Sequence, residues 1–154
     1  IKLLYYTISL ISFVLSFFID SIILLLASLQ VVLMIVCFLH ELGHIIGCKI
    51  IKKKIVKIRV FSISLELGKM KILPNFNFGG TCTFIKDNRS SKLVYLLGPI
   101  SSFFTLIFVL FLFLIFQLKI LLLLLIVNTI TLIITIMPYK YSDVYNFYTE
   151  VNHG

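Results

Sequence analysis

Charge is scarce in this chain, and acid is scarcest. Its 154 residues include six Asp and Glu against 14 Lys and Arg, and charged residues make up only 13%. Hydrophobic residues make up 60%. A water-soluble domain of this length cannot hide so much apolar side chain, because many of its residues must face water. The composition therefore excludes a soluble globular domain and points to an integral membrane protein. Cysteine is also sparse: Cys37, Cys48 and Cys82 form an odd set, which argues against a disulfide framework. Histidine occurs three times, at 40, 44 and 153. The sequence has no internal repeat, and its low-complexity stretch, the Leu run 121–125, is span filler.

Four apolar runs, at about 3–19, 22–48, 93–116 and 120–137, predict four transmembrane helices. The first would just cross a thin bilayer at about 1.5 Å per residue. It lacks a convincing signal-peptide cleavage site and reads as a retained span. Ser9, Ser12 and Ser16 mark a helix-packing face on it, and Asp20 is placed to cap the second helix. Between the second and third spans lies the one long polar segment, 49–92. Ile58, Val60, Ile63 and Leu65 suggest a strand, with alternation clearest from Ser62 to Glu66, Met70 to Leu73 a short return, and Thr81 to Ile85 another strand. The expected fold class is an all-α polytopic membrane protein, a single domain over 1–154, with a small membrane-surface β-sheet between its second and third spans.

Eleven of the 14 basic residues fall between Lys49 and Lys92. The positive-inside rule accounts for this block without a nucleic-acid partner, and none is expected. It places the 49–92 loop and both ends of the chain on the cytoplasmic side. Tyr139, Tyr141, Tyr145, Phe147 and Tyr148 form an aromatic cluster suited to the membrane–water boundary.

The second run ends in His40-Glu41-Leu42-Gly43-His44. Residues four apart lie on one helix face, so His40 and His44 can direct two imidazole nitrogens at one ion, with Glu41 beside it. This H-E-x-x-H pattern is the zinc-protease arrangement, in which the Glu takes a proton from metal-bound water. Ionisable groups inside an apolar span are costly and mark function by default. Gly43 and Gly47 let a second backbone or a substrate approach this helix, although small-residue packing is the commoner use.

Two His require a further protein ligand. Of the acids, Asp20 falls on the far side, and Glu66 and Asp87 belong to the surface segment; Asp143, after the break at Pro138, shares the depth of His40 and His44. It is the third ligand by elimination, against the plainer reading of a helix N-cap. Cys37 and Cys48 share the histidine stripe. However, Cys48 is eight residues from His40, roughly 12 Å along the axis, so small apolar packing is their expected role. His153 reads as a tail residue.

HELGH at the end of a span, Gly98-Pro99 opening the next, and Asn128, Pro138 and Asp143 around the last resemble the site-2 protease family of intramembrane zinc metalloproteases. In that family the third ligand is an Asp five residues after a Pro, matched by Asp143 after Pro138, with an Asn ten before the Pro, matched by Asn128. Phe78-Gly79-Gly80 is similar to the subgroup that processes sporulation sigma factors. The resemblance runs from about Ile22 to Tyr148 and implies a bacterial cell membrane. Val144 stands where the family has Gly, and Ser102 and Thr135 stand where it has Asn.

The resulting expectation is a zinc endopeptidase that hydrolyses a peptide bond in or near a transmembrane segment of a membrane-bound protein or peptide. One zinc ion is held by His40, His44 and Asp143, and Glu41 is the base. Asn128 either helps hold substrate or oxyanion, or makes an interhelical hydrogen bond. The metal would lie roughly 8–14 Å below the basic surface, so a polar funnel must bring water, lined in part by irregular backbone after Pro138. The 81–85 strand is a place for an unwound substrate to add as a strand. Regulation is expected from a membrane partner. The alternative is a catalytically degenerate protein of the same fold that binds a partner segment without cleaving it. A zinc carrier would need more polar residues along the third and fourth spans.

Overall fold

A computed structural model describes residues 2–19, 21–61, 63–66, 69–72, 79–85, 90–140 and 142–152. The expected Asp20 cap, Asp87 and His153 lie outside these residues. The elements run α1 (Lys2–Leu15), α2 (Ile22–Ile50), β1 (Ile55–Val60), β2 (Ile63–Glu66), β3 (Lys69–Ile72), β4 (Gly80–Phe84), α3 (Lys92–Phe116), α4 (Lys119–Ile136) and α5 (Asp143–Asn152).

Among the described residues three helices, α2, α3 and α4, are long and apolar enough to cross a membrane. In lipid the backbone must satisfy its own hydrogen bonds, and a continuous helix does so. Their outer surfaces carry exposed Ile22, Ile23 and Leu26 on α2, Phe104, Phe108 and Leu114 on α3, and Ile126, Ile130 and Ile133 on α4. Such a surface fits an integral membrane protein. The expected span at 3–19 is instead the 14-residue helix α1, about 21 Å long at 1.5 Å per residue, short of a hydrocarbon core of about 30 Å. It packs on α2 and buries Ser9 and Ser12, with Ser16 buried just past its end, the face marked by the hydroxyls. Val32 and Val36 of α2, Val109 of α3, and Ile120, Leu121, Leu124 and Val127 of α4 form the apolar core.

The bends between helices follow from local chemistry. Gln117 takes a left-handed conformation (φ 52°) and its N–H reaches the Phe113 carbonyl at 2.8 Å, closing α3 before α4 begins. At the other end of α4, Met137 is extended (φ −60°, ψ 131°), the conformation imposed on a residue before proline. The chain turns through Pro138 and Tyr139 into α5, a short helix absent from the sequence-based expectation. The buried Ser142 hydroxyl accepts the Tyr145 N–H at 3.1 Å and caps its start.

The surface sheet is antiparallel, in the order β3-β2-β1-β4. The expected strand from Ile58 to Glu66 is broken into two. Val60 pairs with Ile63 across a two-residue connection, and Phe61 has φ 54°. A tight hairpin of this kind requires positive φ, yet the Phe-Ser sequence carries no glycine or asparagine to signal it. Strand β4 is an edge, and it packs against α2.

The α2–α3 crossing sets the position of everything downstream. A Cβ at Gly43 would collide with the Leu97 carbonyl, and one at Gly47 would stand 2.8 Å from the Val94 Cα. The second backbone that these glycines admit is therefore α3. Gly47→Val should overpack this contact and cost about 1–3 kcal/mol, read as a lower thermal unfolding midpoint in detergent; an unchanged midpoint would show that the crossing tolerates separation.

Candidate metal centre

The three-residue cluster is assembled from two distant segments. His40 and His44 project from one face of α2, and Asp143 is the first residue of α5. His40 Nε2 lies 2.9 Å from Asp143 Oδ2, His44 Nε2 lies 3.3 Å from Asp143 Oδ1, and the two Nε2 atoms are 3.2 Å apart. Among the described residues this is the group of His, Cys, Asp and Glu side chains whose ligand atoms converge, all within 4.8 Å of one another. Tetrahedral zinc with bonds of about 2.0–2.1 Å holds its ligand atoms about 3.3 Å apart, which is the spacing found here.

The hydrogen bonds behind the rings give this geometry its meaning. His44 Nδ1 is 2.7 Å from the Val94 carbonyl. A carbonyl only accepts, so Nδ1 carries the proton and Nε2 presents a lone pair. His40 Nδ1 is 2.9 Å from Ser102 Oγ. Burial alone would raise the Asp143 carboxyl, but its hydrogen bonds with His40 and His44 outweigh that and hold it at about 2. It is thus a carboxylate throughout the physiological range. An anionic carboxylate and at least one imidazole lone pair face a common centre, and a divalent cation satisfies all the facing atoms at once.

Glu41 stands beside this centre, 4% exposed, and its Oε2 has no hydrogen-bond partner among the described residues. A buried unpaired carboxylate oxygen is expensive, and such atoms are kept where chemistry needs them. The room around the site is made by absent side chains. A Cβ at Gly80 would collide with the Glu41 carboxylate, and one at Gly98 with the imidazoles of His44 and His40.

A cleft of about 530 Å³ opens over His40, Glu41, His44 and Asp143. The sheet forms one wall through Phe61, Gly80, Cys82 and Phe84; Thr131, Thr135 and Tyr139 form the other. Burial, then the neighbouring Cys48 and Glu41, push the Cys82 thiol up to about 12, so it faces the cleft as a neutral thiol. Cys37 also lines the cleft, but Cys48 does not.

Of the residues singled out from sequence, His40, Glu41, His44 and Asp143 come together; Asn128 does not join them at the cleft. It is 1% exposed, and its Nδ2 donates to the Ser102 carbonyl at 3.0 Å. This is the interhelical hydrogen bond of the two roles open to it. Glu66 pairs with Lys57 across the sheet at 3.8 Å. The sequence marks Ser102 and Gly80 as positions of the resembled pattern without a role and carries no signal for the Val94 carbonyl, since each contribution depends on which surface faces α2.

Comparison of the chain with protein-family models, curated proteins and solved structures found no match.

Replacing Asp143 by Ala removes the one carboxylate that faces both rings. If the cluster holds zinc, the zinc content of the purified chain should fall from about one ion to a small fraction of that, since two His alone hold zinc poorly. Retention of full zinc would place the third ligand elsewhere.

Proposed function

We propose that the chain is an intramembrane zinc endopeptidase of the site-2 protease type, hydrolysing a peptide bond in or near a transmembrane segment of a membrane-bound protein or peptide. The observation that carries this reading is the convergence of His40, His44 and Asp143, with Glu41 beside them in a cleft, its Oε2 without a partner among the described residues. The donor set of two imidazoles and one carboxylate, with a neighbouring Glu that is not needed as a ligand, suits a catalytic rather than a structural zinc. When bound, the ion supplies Lewis acidity, lowering the pKa of a water from about 15.7 toward about 7 and polarising a carbonyl.

The chain's own residues would do the rest. Glu41 accepts the proton of the attacking water through its free oxygen and returns it to the leaving amine. Val94 and Ser102 hold the two imidazoles from behind. The sheet wall and the α4 wall enclose the peptide and limit its access to water. We place the 49–92 segment and the part of the chain after α4 on the cytoplasmic side, from the basic residues. On this topology the cleft opens toward the cytoplasm and α1 adds a fourth, partly inserted helix. The free edge of β4, whose Gly80 and Cys82 line the cleft, offers backbone groups to an unwound substrate strand.

Glu41→Gln keeps the shape and loses the base. Cleavage of a membrane-peptide substrate should drop at least about 10²–10⁴-fold while zinc content stays near wild type. Cleavage that survives would remove Glu41 from the mechanism. A wild-type chain that holds zinc and a partner segment but never cleaves would favour the binding role instead.

Cys82→Pro deletes a backbone donor on the free side of β4, since Gly79 and Ile85, and with them Thr81 and Thr83, turn their backbone groups to β1. It should impair cleavage more than it lowers the amount of folded protein. Equal loss of both would argue against strand addition.

A further inference from the structure

The two imidazoles of the metal centre are held from behind in chemically different ways. His44 leans on a backbone carbonyl, that of Val94. No side-chain substitution at position 94 removes that acceptor. His40 leans on a side chain, the Ser102 hydroxyl, across 62 residues of sequence and from α2 to α3. Both partners are buried, His40 at 6% and Ser102 at 1% exposure. Water therefore has little room to take the place of the hydroxyl.

We propose that Ser102 is the positioning residue of the metal centre, the group that makes His40 a ligand, and that Asn128 acts behind it by holding the backbone on which that hydroxyl is mounted. The inference rests on the reading of His40, His44 and Asp143 as metal ligands.

The argument is one of donors and acceptors. When His40 Nε2 gives its lone pair to an ion, the ring's proton sits on Nδ1 and needs an acceptor. The atom at hydrogen-bond distance from Nδ1 is Ser102 Oγ, at 2.9 Å. A hydroxyl has lone pairs to offer there, and its own proton rotates away. An alanine at 102 would leave a buried N–H facing a methyl group, so the metal-binding form of His40 would lose support that the other form does not need.

Position matters as much as chemistry. Ser102 stands one turn along α3 from Gly98, the residue whose missing side chain admits both rings. One side of α3 thus supplies the space and the hydrogen bond together. The Ser102 carbonyl accepts the Asn128 amide at 3.0 Å. The neighbouring Ser101 hydroxyl donates to the Leu39 carbonyl at 2.7 Å, directly before His40 in the chain. These bonds tie α3 to α4 and to α2 at the level of the ring. A chain of contacts from Asn128 through Ser102 to His40 follows. It assigns the two polar residues buried behind the cleft to ligand orientation rather than to substrate.

The test uses the full chain in detergent, prepared metal-free. Zinc affinity is measured by competition with a chelator, and geometry by the absorption spectrum of the Co²⁺-substituted protein. Ser102→Ala should bind zinc roughly 10–100-fold more weakly and show a changed Co²⁺ spectrum, with the metal-free thermal midpoint unaltered. Ser102→Thr, which restores a hydroxyl, should recover affinity. If alanine at 102 prevents folding, Ser102→Cys carries the test, being of similar size but a weak acceptor; it too should weaken zinc binding. Zinc affinity within twofold of wild type in whichever of these two variants folds, alongside loss of zinc in Asp143→Ala, would overturn the role of Ser102 and leave the metal centre standing. If Asp143→Ala also keeps its zinc, the metal-centre reading fails and this inference falls with it.

Discussion

Three side chains from two separate segments, with atoms that could hold one metal ion, meet inside an apolar bundle, and the structure is arranged to make that meeting possible. Two imidazole nitrogens and a carboxylate sit 2.9–3.3 Å from one another. Such groups would otherwise seek water, and holding them together below a hydrophobic surface is costly. The close crossing of α2 and α3 brings up the Val94 carbonyl and the Ser102 hydroxyl behind the rings. Glycine on each side of that crossing removes the bulk that would prevent it. The turn at Pro138 and the Ser142 cap then bring α5 back with its first residue aimed at the same place.

The sheet completes the site from the other direction. It follows directly from α2, and its last strand returns beside the helix that carries the histidines. Gly80 meets Glu41 where a larger residue would not fit. The cleft therefore has a helical wall that carries hydroxyls and a strand wall that carries aromatic rings. A polar centre, a strand edge and an apolar exterior fall within one small unit.

Much of this was legible in the sequence because it depends on local spacing. The i, i+4 histidines must share a helix face wherever that helix packs. The three long apolar runs must be helices if they enter lipid. Asp143 was reachable by elimination, because so few acids exist. The illegible parts depend on which surfaces face each other. Ile58, Val60, Ile63 and Leu65 read as one strand and concealed a hairpin whose positive φ at Phe61 has no glycine to announce it. The segment after Pro138 read as irregular because its helix is short and mostly aromatic and polar. The first apolar run read as a span because hydropathy does not reveal where a helix stops; the structure ends it at Leu15. Asn128 stood equally for substrate binding and for helix pairing, and only the approach of Ser102 separates the two.

The most direct test is the coordination shell itself. X-ray absorption at the zinc edge of the purified, zinc-loaded chain reads ligand type and distance without reference to activity. The account predicts nitrogen and oxygen scatterers alone, at about 2.0–2.2 Å, with the outer-shell pattern of two imidazoles. A sulfur scatterer at about 2.3 Å, or a shell with no imidazole signature, would contradict it.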